Sequence, residues 1–191
     1  MRIVAGLAKG RRLAVPKGRL IRPATEQVRE ALFNILAAQI DGSSFLDLFA
    51  GSGSVGLEAL SRGAKQVVFV EKEPDVFKIL RENVRGLSSD YPDFEKRVAL
   101  FPLPVDRAIL KLKKSEGGCF NFIFMGPPYR MESLYQETLA QLGTSRLLSQ
   151  NGYVILEQSI RMKPVEDPFF QCEERRRYGE TLLLFYREKR T

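Results

Sequence analysis

The chain has no histidine and no tryptophan among its 191 residues, and only two cysteines. Without histidine there is no Ser-His-Asp or Cys-His nucleophilic pair and no imidazole-held metal. No metal is expected, and any chemistry must run without an imidazole base. Cys119 and Cys172 stand far apart with no metal-ligand spacing. Reduced thiols acting as small apolar side chains are the expectation for both. Long hydrophobic runs are missing too. None approaches the roughly 18–20 apolar residues that span a bilayer. The basic N-terminus has no apolar stretch of signal-peptide length behind it. These absences predict a cytoplasmic protein with no membrane partner.

Acid is missing from one end. Residues 1–25 carry seven basic side chains (Arg2, Lys9, Arg11, Arg12, Lys17, Arg19 and Arg22) and no acidic one. The remaining 166 residues hold 23 basic and 23 acidic side chains, so the whole net charge of +7 lies in that arm. Charge gathered in this way is a footprint for a polyanion, most simply nucleic acid. Glycines and apolar residues interleave the charges, which predicts an ordered element. RIVAG and RRLAV, separated by Leu7 to Gly10, read as a small β-hairpin within a basic arm of residues 1–24.

What is present alternates. At 44% hydrophobic the chain can build a sizeable core. Thr25 is a candidate N-cap for a helix whose apolar face is Val28, Ala31, Leu32, Ile35 and Leu36, ending at Asp41-Gly42. Strand and helix patterns then take turns. SFLDLF, QVVFVE, Arg97 to Phe101, FNFIFM and YVILE read as strands. Helical patterns lie between them, including Pro74 to Arg85, Val105 to Lys113 and Glu132 to Leu142. Two β-rich runs, Phe170 to Tyr178 and Thr181 to Arg187, flank a Gly179-Glu180 turn. The expected fold is α/β: a doubly wound, mostly parallel seven-stranded sheet finished by an antiparallel C-terminal hairpin.

Two turns carry the chemistry. Asp47 to Gly56, DLFAGSGSVG, follows the first of these strands and opens a helix. Gly51 and Gly53 allow a tight turn and close approach of a ligand to backbone, and Gly56 allows close helix–strand packing. The letters GSGSVG also fit the dinucleotide fingerprint, so nicotinamide binding stays open. Asp47 argues for a different adenosine ligand, because a carboxylate there repels pyrophosphate and attracts an ammonium or sulfonium. Glu71 ends the second of these strands, 18 residues after Gly53, where an acid takes ribose hydroxyls. A positively charged nucleoside with a methionine-like tail, S-adenosylmethionine, satisfies both. The second turn is FNFIFMGPPYR, Phe120 to Arg130. Pro127 and Pro128 cannot continue a central strand, so the chain turns at the carboxyl end, where open α/β sheets hold ligands. Stiff carbonyls beside the Tyr129 ring suit a flat, amine-bearing substrate such as a nucleobase.

These residues resemble a class I S-adenosylmethionine-dependent methyltransferase that acts on amines. RIVAGLAKGRRL, then RPATEQVREALFNIL, then LDLFAGSGSVGLEALSRGA is similar to the bacterial RsmD-type small-subunit ribosomal RNA (guanine amino) methyltransferase family. The resemblance runs from Arg2 to the end of the sheet and is most specific over Arg22 to Ala64. It implies a methyltransferase domain over residues 25–191, acting as a monomer on ribosomal RNA or the small ribosomal subunit. It further implies that Arg22, Pro23 and Thr25 border the cofactor pocket. Asp47, Phe49, Ala50, Gly51, Ser52 and Gly53 would lie under the methionine and ribose, Glu71 would hold the ribose, and Lys72 would flank the adenine. Gly126, Pro127, Pro128 and Tyr129 would form the amine-binding turn. Arg2, Lys9, Arg11, Arg12 and Lys17 would meet RNA.

Two positions depart from the family pattern. Leu103-Pro104 stands where Gly-Asp is usual, with Asp106 two residues on. Gly126 stands where Asp, Asn or Ser precedes Pro-Pro, so the turn has no side-chain acceptor for the amine. A hydrogen bond to a charged group contributes about 1.5–3 kcal/mol. Its loss from a transition state slows the step roughly 10- to 100-fold. The expectation is a slower methyltransferase, or one that draws an acceptor from another acid or a water. The alternatives are a weak or inactive RNA-binding relic and a DNA amino-methyltransferase. The last has little room here for a separate target-recognition domain.

Overall fold

The computed structural model describes residues 1–16, 25–114, 119–127 and 132–189. Among the described residues, seven strands and seven helices follow the N-terminal segment. The helices are α1 (Glu26–Ile35), α2 (Ala37–Ile40), α3 (Ser54–Ser61), α4 (Pro74–Asp90), α5 (Asp93–Lys96), α6 (Val105–Lys114) and α7 (Glu132–Ser145). The strands are β1 (Ser44–Asp47), β2 (Gln66–Val70), β3 (Val98–Phe101), β4 (Phe120–Met125), β5 (Leu148–Ser159), β6 (Phe170–Tyr178) and β7 (Thr181–Glu188). They form one sheet in the order β3-β2-β1-β4-β5-β7-β6. The first five strands run parallel, and β7 pairs antiparallel with both β5 and β6. The sheet reverses its winding between β1 and β4, the kind of switch point at which ligands bind beyond the strand carboxyl ends.

Alternation along the strands sorts the core into two layers. Phe45, Phe69, Phe124 and Ile155 face one way and pack with Leu32, Phe33, Leu60 and Leu80 of α1, α3 and α4. Leu46, Val68, Ile123 and Leu156 face the other way and pack with Ile109, Tyr135 and Leu139 of α6 and α7. Central strands buried on both faces explain the unbroken apolar runs of the sequence. Helix α1 starts where Thr25 accepts a hydrogen bond from Val28 N–H at 3.2 Å. Val28, Leu32 and Leu36 bury the expected stripe, joined by Phe33.

The N-terminal hairpin differs from two regular strands. Pairing reduces to one antiparallel bridge, Arg2 with Arg12. The backbone closes around it, with Ile3 N–H on Arg11 O at 3.0 Å and Gly10 N–H on Ile3 O at 2.9 Å. The cause is competition from the domain body. Val4 and Ala5 donate instead to the Glu58 carboxylate at 2.8 and 2.9 Å. Leu7 donates to Ser61 O at 2.7 Å. Ile3, Ala8 and Leu13 are buried in the same core layer as α1 and α3. No helix among the described residues is long and apolar enough to cross a membrane.

Candidate functional site

The loop after β1 is shaped by its glycines. Gly51 and Gly53 have φ of 56° and 84°, the left-handed region that side chains resist. At Gly51 no atom of the described residues lies within 4 Å of an added Cβ, so the backbone faces open space among them. Gly56 serves packing, because a Cβ there would come within 2.3 Å of the Phe69 ring. Gly53 N–H closes the turn on Ala50 O at 2.7 Å. Asn83 of α4 braces the loop from below, donating to Ser52 O at 2.8 Å and to Ala14 O at 2.9 Å. The same side chain accepts from Ala14 N–H at 2.8 Å, so one amide ties the loop to the hairpin.

Asp47 closes β1 and is only 1% exposed. Its Oδ2 accepts from Gly56 N–H at 3.1 Å. Its Oδ1 is buried and has no hydrogen-bond partner among the described residues. Burial pushes the carboxyl up to about 7, the Gly56 N–H opposes the rise, and the charges of Glu71 and Glu157 add to it. A buried oxygen left unmet costs free energy in a folded protein. It calls for a cation or a donor from beyond the described residues. Glu71 lies just past β2 and holds the loop in shape, accepting from Gly51 N–H at 3.0 Å and Glu73 N–H at 2.8 Å. A carboxylate has about four acceptor sites, so both oxygens keep capacity for further donors.

The remaining loop residues frame this pair. Phe49 is half-buried against the second core layer, and Ala50 and Ser52 are buried. Lys72 is exposed, 3.9 Å from Glu73. Thr25 is the α1 cap described above. Arg22 and Pro23 lie outside the described residues. Leu103 packs on the second core layer, and Pro104 O accepts the Ala108 N–H at 3.0 Å as α6 begins.

The second turn is visible to Pro127, while Pro128 and Tyr129 lie outside the described residues. Tyr135 of α7, fully buried, ties its start to the next strand. The hydroxyl donates to Glu157 O at 2.8 Å and lies 3.3 Å from Pro127 O. Gly126 does not sit in the left-handed region, so its backbone does not require glycine. An added Cβ would touch Phe124 at 3.5 Å and the Glu157 side chain at 3.6–3.7 Å, which is ordinary contact.

The basic arm divides into two sets. Arg11 is engaged internally, 2.6 Å from Asp90 and donating to Gly86 O at 3.0 Å. Arg2 is exposed and pairs with Glu26 at 3.5 Å. Lys9 and Arg12 are exposed and form no ion pair among the described residues, beside an exposed Leu7. Lys17 lies outside the described residues. Sequence reasoning passes over Asn83, Glu58 and Glu157. Glu157 alone carries a readable signal: like Glu71, it ends an apolar strand run.

Comparison with known proteins bears on all of this. The family model described as "Conserved hypothetical protein 95" matches residues 1–187. A ribosomal RNA small subunit methyltransferase D from Haemophilus influenzae is 35% identical over 170 residues, 88% of this chain and 83% of that protein. The structure of a hypothetical protein from Thermus thermophilus is 35% identical with a TM-score of 0.78, covering 99% of each chain. An RNA methyltransferase from Salinibacter ruber, solved in complex with S-adenosyl-L-homocysteine, shares the fold at 14% identity and a TM-score of 0.65, covering 87% of this chain and 93% of that one.

Proposed function

The chain belongs to the conserved hypothetical protein 95 family, and we propose that it moves a methyl group from S-adenosylmethionine to the exocyclic amine of a guanine in small-subunit ribosomal RNA. The observation that carries this reading is the unmet, buried Oδ1 of Asp47 beside the open backbone of Gly51. That chemistry fits a cationic nucleoside and disfavours a pyrophosphate, which sets the dinucleotide reading aside. The Haemophilus relative's name supports ribosomal RNA as substrate, and the S-adenosylhomocysteine in the Salinibacter structure supports the donor.

Asp47, Gly51, Gly53 and Glu71 hold the donor, with Phe49, Ala50, Ser52 and Lys72 around it and Arg22, Pro23 and Thr25 at its border. When bound, S-adenosylmethionine supplies a methyl on positively charged sulfur, which keeps the electron pair of the broken bond. The chain's own task is positioning. Asp47 and Glu71 fix one reactant, and the turn of Gly126, Pro127, Pro128 and Tyr129 fixes the other, so that two substrates react as one assembly. Tyr135 keeps that turn stiff by tying it to β5. No step needs an imidazole. Residues 1–24 serve as the RNA-facing arm, where Lys9 and Arg12 offer the polyanion their charge directly while Arg11 holds the arm to Asp90 and Gly86, and residues 25–191 serve as the methyltransferase domain. The site of action is the cytoplasm, where ribosomal RNA is made and assembled.

The test is incubation with methyl-labelled S-adenosylmethionine and either naked small-subunit RNA or small subunits, followed by mapping of the label. Label on a guanine amine is the expected result. Donor binding with no label on either RNA substrate would remove the substrate assignment. Absence of donor binding would remove the whole reading.

A further inference from the structure

The turn after β4 lacks the acceptor that an amine-methylating site needs, yet a carboxylate from the neighbouring strand borders the gap. Strands β4 and β5 run in register, Phe124 beside Ile155 and Met125 beside Leu156. The next pair along is Gly126 and Glu157. Both lie on the sheet face of Phe124 and Ile155, by two-residue alternation. Asp47 lies on that face as well, two residues beyond Phe45 on β1. Glycine at 126, just past the end of β4, therefore leaves no side chain beside Glu157 on that face. The Glu157 Oε2 is 3.7 Å from the point a residue-126 Cβ would occupy. Glu157 is 6% exposed, so its carboxylate lies within the folded chain beside this gap. Its main chain is held by the Tyr135 hydroxyl, so the strand end that carries it is stiff. Its charge reaches Asp47, adding to the upward push on that carboxyl.

We propose that Glu157 supplies, from β5, the side-chain acceptor for the substrate amine that Gly126 cannot supply from β4. The proposal rests on the methyltransferase reading above. As the new N–C bond draws on the amine lone pair, the nitrogen becomes positive and must shed one N–H proton. The Glu157 carboxylate accepts a hydrogen bond from that N–H during transfer, takes the proton as the neutral methylated amine forms, and releases it to water. The acceptor lost at one strand is regained from the next, at nearly the same place in space.

The experiment compares wild type, Glu157→Gln, Gly126→Asp and the double variant. It reads single-turnover labelled-methyl transfer to small subunits, S-adenosylhomocysteine affinity by calorimetry, and Asp47 titration by carbon-13 NMR. Glu157→Gln should slow transfer about 10- to 100-fold. Its S-adenosylhomocysteine affinity should stay within about twofold, and Asp47 should titrate at lower pH than in wild type, with Glu71 the acid still facing it. Gly126→Asp in that background should recover most of the rate. Gly126→Asp alone should gain little, since two carboxylates would then share one space. Should Glu157→Gln melt below assay temperature, Glu157→Asp carries the same test, with a smaller loss expected. Wild-type transfer matched by a Glu157→Gln chain of equal rate overturns the proposal alone, as does a loss that Gly126→Asp fails to recover. A wild-type chain that transfers nothing overturns the reading beneath it.

Discussion

Glu58 and Asp47 are both buried carboxylates on the same side of the sheet, and they are treated in opposite ways. Glu58 is fully enclosed and saturated. It accepts from Val4 and Ala5 N–H groups, and it pairs with Arg62 at 2.8 Å and with the equally enclosed Arg29 at 3.6 Å. Arg29 in turn donates to Arg2 O at 2.6 Å, closing a knot between hairpin, α1 and α3. Among the described residues Asp47 has one backbone donor, to Oδ2, and none to Oδ1. The first carboxylate holds the molecule together. The second is held in a costly state by the molecule around it.

The contrast can be broken most forcefully at Glu58. Glu58→Ala leaves Arg29 enclosed and two hairpin N–H groups unmet. Loss of one partner of a buried pair costs about 3–5 kcal/mol. Urea denaturation should show a loss of that size, and a loss under about 1 kcal/mol would mean the knot is not what anchors the hairpin. Asp47→Asn should do the reverse, on the order of 1–2 kcal/mol of added stability. The sign follows from burial raising the folded-state carboxyl from 3.8 to about 7. Between those values the unfolded chain has already ionised and the folded one has not, so stability falls as pH rises and the cost is complete above about 7. The gain from Asp47→Asn should therefore be largest above pH 7 and vanish toward pH 4 in thermal melts. Donor affinity should fall in the same variant, and the strengthening of wild-type binding as pH rises through 7 should disappear. A variant that binds S-adenosylmethionine normally at pH 8 would strip Asp47 of its role.

The smallest effect on stability is expected in the arm. Lys9→Glu with Arg12→Glu changes exposed side chains and should leave the unfolding free energy within about 0.5 kcal/mol of wild type. RNA affinity should nonetheless fall, with its salt slope reduced by about 1 to 2. Arg11→Glu should instead destabilise, because its guanidinium is spent on Asp90 and Gly86. Equal effects of both sets on RNA and on stability would erase the division between free and engaged cations.

The sheet was legible because its strands are apolar runs closed by Gly, Pro or a charge. Strand β5 exceeds the expected YVILE, extending to Leu148–Ser159 because β4 and β7 both offer it hydrogen bonds. Helix α4 likewise runs on to Asp90, past the expected Arg85. Asp47 and Glu71 stand out in sequence as charges that end apolar strands beside a glycine loop. Glu157 bears the same mark, but only the adjacency of β4 and β5 gives it meaning, and strand order is not written in any one segment. Glu58 and Asn83 are less visible still. Their partners lie 53–69 residues away in the hairpin, where no local pattern points to them.

That separation has a consequence for how the chain is made. Residues 1–16 leave the ribosome before any of their partners. The Ala14 anchor waits for Asn83, Arg11 for Gly86, and Leu7 for the Tyr91 hydroxyl. At typical synthesis rates the arm spends roughly 4–18 seconds without its seat. Through that interval the cover over Ile3, Ala8 and Leu13 is incomplete and the Arg11 guanidinium lacks Asp90. The segment that begins the chain is thus among the last to find its place within the first half of the fold.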